Sequence, residues 1–338
     1  MKHVTGSDSL ITSKRLAMLG MVVVLVATAG CLGSITGVFS DEAAEPAEHA
    51  PEGSDLLVHA DMAMMEDGDN QRIMDALVQQ GADTDGHQDA FAEFENETGL
   101  DPEDAQQVLF FADLSKDSMD ENAGFVVYSD WDTDTVISAV EDDEDTDYEQ
   151  TEYEGESVLY EPTEEPEFGS VMYVGDLGDG KYVFGDEKGV RSSLAIEYGD
   201  GKAVSGDVRD AYDDTRDGHV TMAATLPDET VPNNDDPFTP NEIDFEPFHN
   251  VSTITGVYYT DDGNAGLEMQ LNAETEDDAI DVADVTDGAI SVASGSLDDD
   301  DLKDELRKIE TEQDGSTVDV TYETSVDKIV ELLEREDL

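Results

Sequence analysis

The sequence holds one cysteine, Cys31, one tryptophan and only 16 lysines and arginines among 338 residues. A single thiol excludes an internal disulfide framework, so the folded body must be held by packing and by its ionic surroundings. That thiol ends an apolar run near the N-terminus, which leaves the body no cysteine to act as a nucleophile beside a histidine. The six histidines, His3, His49, His59, His87, His219 and His249, never fall as a close pair, so the zinc-binding HExxH pattern is missing, as is the GxSxG elbow. The scarcity of cations argues against nucleic acid as a partner, because phosphate binding releases counterions through Lys and Arg.

What is abundant is acid. Asp and Glu number 86, for a formal net charge of −70. Chains this charged are often disordered, yet the apolar residues here recur at strand and helix periods. Strong salt reconciles the two, since at 1 M ionic strength the Debye length is about 3 Å and surface acids barely repel one another. In its acids and sparse lysine the chain resembles proteins of extremely halophilic archaea, which implies that the acid excess serves solvation.

Near the N-terminus, Lys14-Arg15 precede an apolar run from Leu16 to Ala29, and Thr28-Ala29-Gly30-Cys31 closes it. A basic start, an apolar stretch and small residues at its end make an export signal. The last four residues resemble a lipobox, with Thr28 where Leu is usual. The resemblance implies cleavage between Gly30 and Cys31, lipidation of the Cys31 thiol and attachment to the membrane through that lipid. Ser13-Lys14-Arg15-Leu16 is similar to a twin-arginine signal with Lys for the first Arg, which leaves the export route open. An uncleaved anchor is the alternative, because no charge occurs from Leu16 to Ser40 and about 20 apolar residues span a bilayer. Both readings put the body outside the membrane. Residues 31–53, rich in Ala, Glu, Pro and Ser, read as a lipidated end and flexible acidic tether.

From Ser54 the periodicities predict α+β architecture with mostly antiparallel sheet. A strand over 56–62 is followed by a helix with Ile73, Met74, Leu77 and Val78 on one face. An acidic helix at 89–97 ends at Gly99, and Asp101-Pro102 starts a short one. Strands are expected at 108–112, 124–128, 151–154, 157–160, 170–174, 181–184, 219–226 and 317–323. Helices are expected at 133–140, 188–198, 299–309 and 326–333, with a helix or turn at 208–217. A Pro-rich loop runs from 227 to 247, and 251–260 with 265–271 make a hairpin about Asp262-Gly263. Thr275-Glu276-Asp277-Asp278 resembles a capping box for a helix through Val285. The loosely repeated order suggests two related subdomains, 54–205 and 206–338, with Phe125–Val140 resembling Val318–Leu333.

Candidate sites are few. Asp130, Asp132, Asp134 and Glu141 occupy positions 1, 3, 5 and 12 of an EF-hand loop and would suit Ca²⁺. Thr135 stands where that loop needs Gly, and the alternative is an N-capped helix with favourable acids in its first turn. Gly175, Gly178 and Gly180 lack the dinucleotide-binding order and fit a hairpin. Trp131 and the strand tyrosines would line a sugar site or pack. Asn96 and Asn250 begin glycosylation sequons. No cofactor other than Ca²⁺ is suggested, and no small-molecule ligand is identified. The expectation is a non-enzymatic envelope lipoprotein that binds or supports envelope protein partners. The alternatives are a solute-binding lipoprotein of a transporter, whose lobes usually contain parallel sheet, and a surface hydrolase using paired carboxylates.

Overall fold

Tight turns set three of the strand pairings. At Glu154-Gly155, Asp179-Gly180 and Asp262-Gly263 both residues take positive φ, the two-residue hairpin geometry that matches strand twist. A computed structural model describes residues 46–81, 94–96, 98–114, 122–144, 146–163, 172–227, 231 and 245–335. In it these turns join β4 (Tyr148–Tyr153) to β5 (Glu156–Pro162), β6 (Tyr173–Gly178) to β7 (Lys181–Gly185), and β9 (Val251–Asp261) to β10 (Asn264–Ala273). The other strands are β1 (Leu56–Asp61), β2 (Ala105–Ala112), β3 (Ala123–Ser129), β8 (Val220–Thr225), β11 (Glu310–Asp314) and β12 (Thr317–Ser325).

All twelve lie in one sheet, ordered β11-β12-β10-β9-β8-β1-β2-β3-β7-β6-β5-β4. Every pairing is antiparallel. The chain is thus α+β, as the hairpin spacing predicts. From the central β1–β8 pair the two halves follow the same path. β1-β2-β3-β7-β6 runs outward on one side and β8-β9-β10-β12-β11 on the other, with β5-β4 added beyond β6. Both outer edges are rich in Glu, a charge that deters pairing with another sheet.

Alternation assigns the two faces. On the first lie α1 (Gly68–Gly81), α2 (Thr133–Glu144), α5 (Glu276–Ser296), α6 (Asp300–Leu306) and α7 (Val326–Leu333). Val136 and Ala139 of α2 cover Val108, Val127, Tyr182 and Phe184. Ala279 and Val282 of α5 cover Leu271 and Val318. On the second face α3 (Glu187–Tyr198) and α4 (Asp207–Asp214) bury Leu57, Leu109, Phe111, Val126 and Val183. Each such side chain contributes about 1.5–3 kcal/mol when removed from water. The helix after the third strand of each half, α2 or α5, takes the same face. The closing helices differ: α3 lies on the second face, and α7 lies on the first, against α1.

Several expectations are revised. The topology equates the unit at 125–140 with β10 and the start of α5, not with 318–333, because strand position decides equivalence and pattern alone does not. The folded body starts before residue 54. Pro46–His49 form a 3₁₀ turn with Ala47, His49 and Ala50 buried, and Val204 N–H donates to Ala50 O. Small apolar residues among acids read as linker, but Ala fits the narrow gap between α3 and the sheet. The helix expected to stop at Val285 runs to Ser296, and β11 lacks the apolar alternation that reveals a strand. Most of the 227–247 loop and of the 89–97 helix lies outside the described residues.

Candidate functional site

Gly30 and Cys31 lie outside the described residues, so the lipid attachment rests on sequence alone. Asp132 caps α2: its side chain accepts from Asp134 N–H at 3.1 Å and its carbonyl from Val136 N–H. Glu141 accepts from Tyr148 N–H at 2.9 Å, and Asp130 is exposed at the end of β3. Thr135 lies inside α2, so residues 133–141 are helical here rather than a loop. Among the described residues no three His, Cys, Asp or Glu side chains are placed to hold a metal. Trp131 packs into the first-face core, its Nε1 donating to Asp101 O at 2.7 Å, and Tyr182 OH donates to Trp131 O at 2.9 Å. Asn96 is exposed at a helix end, whereas Asn250 Nδ2 donates to Asp278 Oδ1 at 2.7 Å and so clips its turn to α5.

Tertiary structure gathers polar groups that are remote in sequence. Beside the start of α1, Thr260 Oγ1 donates to Asp67 Oδ1 at 2.9 Å and lies 2.7 Å from His219 Nε2. Thr260 has one hydroxyl hydrogen. Given to Asp67, it obliges His219 Nε2 to donate, which leaves Nδ1 as the atom able to take a proton. Burial holds the His219 pKa below its ordinary value, against the pull of Asp67 and Asp61, and pushes Asp61 up. Tyr258 OH donates to Asn70 Oδ1 at 2.7 Å, and Asn70 N–H donates to Asp67. Each group answers another, so the network fastens α1 to β9 and to the turn before β8.

On the second face His49 Nδ1 lies 2.9 Å from Tyr128 OH, Nε2 lies 3.1 Å from Glu197 Oε2, and Ser193 Oγ donates to His49 O. Burial lowers the His49 pKa and Glu197 raises it. This clamp fixes the point where the N-terminal segment meets the body. His59, on β1, sits edge-on to Tyr212 of α4. Its Nε2 is buried and finds no hydrogen-bond partner among the described residues, and burial lowers its pKa to about 4.

The second face of β9, β10 and β12 is different in kind. Antiparallel sheet tolerates water on one side, and beyond α4 no described helix covers these strands. Their side chains form a cross-strand lattice. Thr317 Oγ1 donates to Asn272 Oδ1, Asn272 Nδ2 to Thr253 Oγ1, and Gln270 Nε2 to Asp319 Oδ1, at 3.0–3.1 Å. Next to them Arg216 lies 4.1 Å over the Tyr259 ring and donates to Glu268 at 2.6 Å. Tyr259 in turn fills the space above Gly266, where a Cβ would fall 2.2 Å from its ring. Strand pairing thus organises an acceptor-rich polar array, buried at Thr253 and exposed at Gln270. No motif marks it, because its members come from three strands at alternate positions. Polar residues at every second position were the available signal.

Among the described residues no helix is long and apolar enough to cross a membrane. No protein-family model matches this chain, and no curated protein does. Three solved structures, crystal forms III, I and IV of TP0453, are similar to it. Form III has a TM-score of 0.48 and 8% identity over 86% of this chain and 98% of that one. Forms I and IV have TM-scores of 0.45 and 0.44 and identities of 9% and 10%, each over 87% of this chain.

Proposed function

We propose that the chain is a lipid-anchored envelope protein whose extracellular α+β body binds a protein partner and performs no reaction of its own. The Lys14–Cys31 stretch supports the anchor. The observation that carries the binding role is the polar lattice that runs from buried Thr253 on β9 to exposed Gln270, Thr321 and Glu323 on β10 and β12. Its side chains are held by one another, so little side-chain entropy is lost on contact. The carboxylates Glu268, Asp319 and Glu323 along it favour a partner offering amide or cationic donors. An all-antiparallel sheet, without paired parallel-sheet lobes, favours this reading over solute capture.

Two experiments test it. Replacing Cys31 by Ser should move the protein from the membrane to the soluble fraction, and retention would favour the uncleaved anchor. A photo-crosslinking residue at Gln270 in intact envelopes should give a discrete protein adduct that the same residue at Glu312, on the sheet edge, does not. An adduct at neither position, or equally at both, would refute the assigned surface.

A further inference from the structure

The longest described helix, α5, is acidic in its first half and uncharged in its second. Asp281, Asp284 and Asp287 are followed by Gly288 through Leu297 without a charge, in a protein with 30% charged residues. That second half is not a core segment. Only Ala279 and Val282 of the helix are buried, and Ile280 (42% exposed) and Val292 (37%) are the exposed large hydrophobics among the described residues. Helical spacing sets Ile280, Asp284, Gly288, Ser291 and Gly295 on one outward face, and a Cβ at Gly288 would meet nothing within 4 Å. Beside this face an open cleft of about 530 Å³ lies between α5 and α6, lined by Ser291, Ser294, the acid Asp300 and the two cations Lys303 and Arg307.

We propose that this face is the interface of a homodimer in which α5 packs antiparallel on α5 of a second copy, the helices crossing near Gly288. The argument is self-complementarity, which a two-fold interface requires. Antiparallel packing about Gly288 brings the acidic half of one helix against the uncharged half of the other. Asp281 and Asp284 of each copy then reach the cleft holding Lys303 and Arg307 of its mate. Among the described residues those two cations pair only with exposed neighbours, Asp300 and Asp304, and such pairs hold weakly. Glycine at the crossing lets the backbones approach. In strong salt the surrounding acids are screened and contact pairs persist, so raising KCl should strengthen the dimer.

The test uses the full-length chain with Cys31→Ser and a new thiol at the crossing. Gly288→Cys should give a disulfide-linked dimer under mild oxidation, because the crossing residue faces its own copy. Glu312→Cys should not. Adding Lys303→Glu with Arg307→Glu should abolish the cross-link while circular dichroism stays unchanged, and Asp281→Lys with Asp284→Lys should restore it. Should the charge reversal unfold the chain, Val292→Asp serves instead and should equally abolish the link. The inference is overturned if Gly288→Cys cross-links no better than Glu312→Cys, or if the link survives the folded charge-reversed or Val292→Asp chain. It is also overturned if the thiol pairs only with another protein, or if added vesicles rather than a second copy shield it.

Discussion

Protonating His59 should destabilise the fold. The imidazole lies on the central strand β1 with Leu109 and Thr221 directly across and Tyr212 edge-on, and its buried Nε2 has no partner among the described residues. Burial holds its pKa at about 4 against a reference of 6.5, with Asp217 opposing the shift. Unfolded chains therefore bind more protons between these values, so stability present above pH 6.5 is lost as pH falls toward 4. Linkage over this window amounts to about 2 kcal/mol by about pH 5 and about 3 kcal/mol at full protonation. Relief of acid–acid repulsion and the raised pKa of Asp61 act the other way, so the measurement must be a difference. His59→Phe keeps the ring contact and removes the titration. Urea unfolding in multimolar KCl at about pH 7.5 and pH 5 should show the wild type losing about 2 kcal/mol more than the variant. At the higher pH the variant should match or exceed the wild type, because an unsatisfied buried nitrogen is gone. Equal losses in both chains would show that His59 is solvated or paired in the native state, and the reasoning would fail.

Other outcomes follow from single positions. At Gly180 φ is +75° and a Cβ would fall 1.9 Å from Ser129 O, so Gly180→Ala should cost more than about 3 kcal/mol in thermal unfolding. Gly263→Ala, with φ +82° and open space around it, should cost only about 1 kcal/mol. Dialysis from multimolar KCl to about 0.1 M, where the Debye length is about 10 Å, should unfold the body as its acids repel across the surface. Retained native circular dichroism there would refute the salt argument. Burial pushes the Glu305 carboxyl up, but hydrogen bonds from Lys308, Thr324 and Tyr322 bring it below its ordinary range. Glu305→Gln should therefore loosen α6 from β12 by about 1–2 kcal/mol, since Lys308 is part-exposed and screened. Denaturant midpoints check it.

The hairpin at Asp262-Gly263 and the N-caps at Asp101 and Thr275 were legible because turn and cap chemistry is local. Helix α5 beyond Val285 was not, because Gly288 and Gly295 are poor helix formers and nothing apolar repeats there. Strand β11, Glu310–Asp314, hides for a related reason: an edge strand carries charge where a central one carries valine. The segment at 46–53 reads as linker, and only the gap beside α3 gives its alanines a place to be buried.

By itself the sequence determined the net charge of −70 and the α+β class with its hairpins, and the export signal ending at Cys31 is an expectation read from it alone. Each depends on composition or on residues within a few positions of one another. Tertiary structure alone decided that β1 pairs with β8 to fuse two similar halves into one sheet. It also brought Asp67, His219 and Thr260 together, and set the side chains of Thr253, Asn272 and Thr317 in one hydrogen-bonded row across three strands. Those outcomes depend on which strands become neighbours, and loop-closing pairings across more than a hundred residues leave no mark on local periodicity.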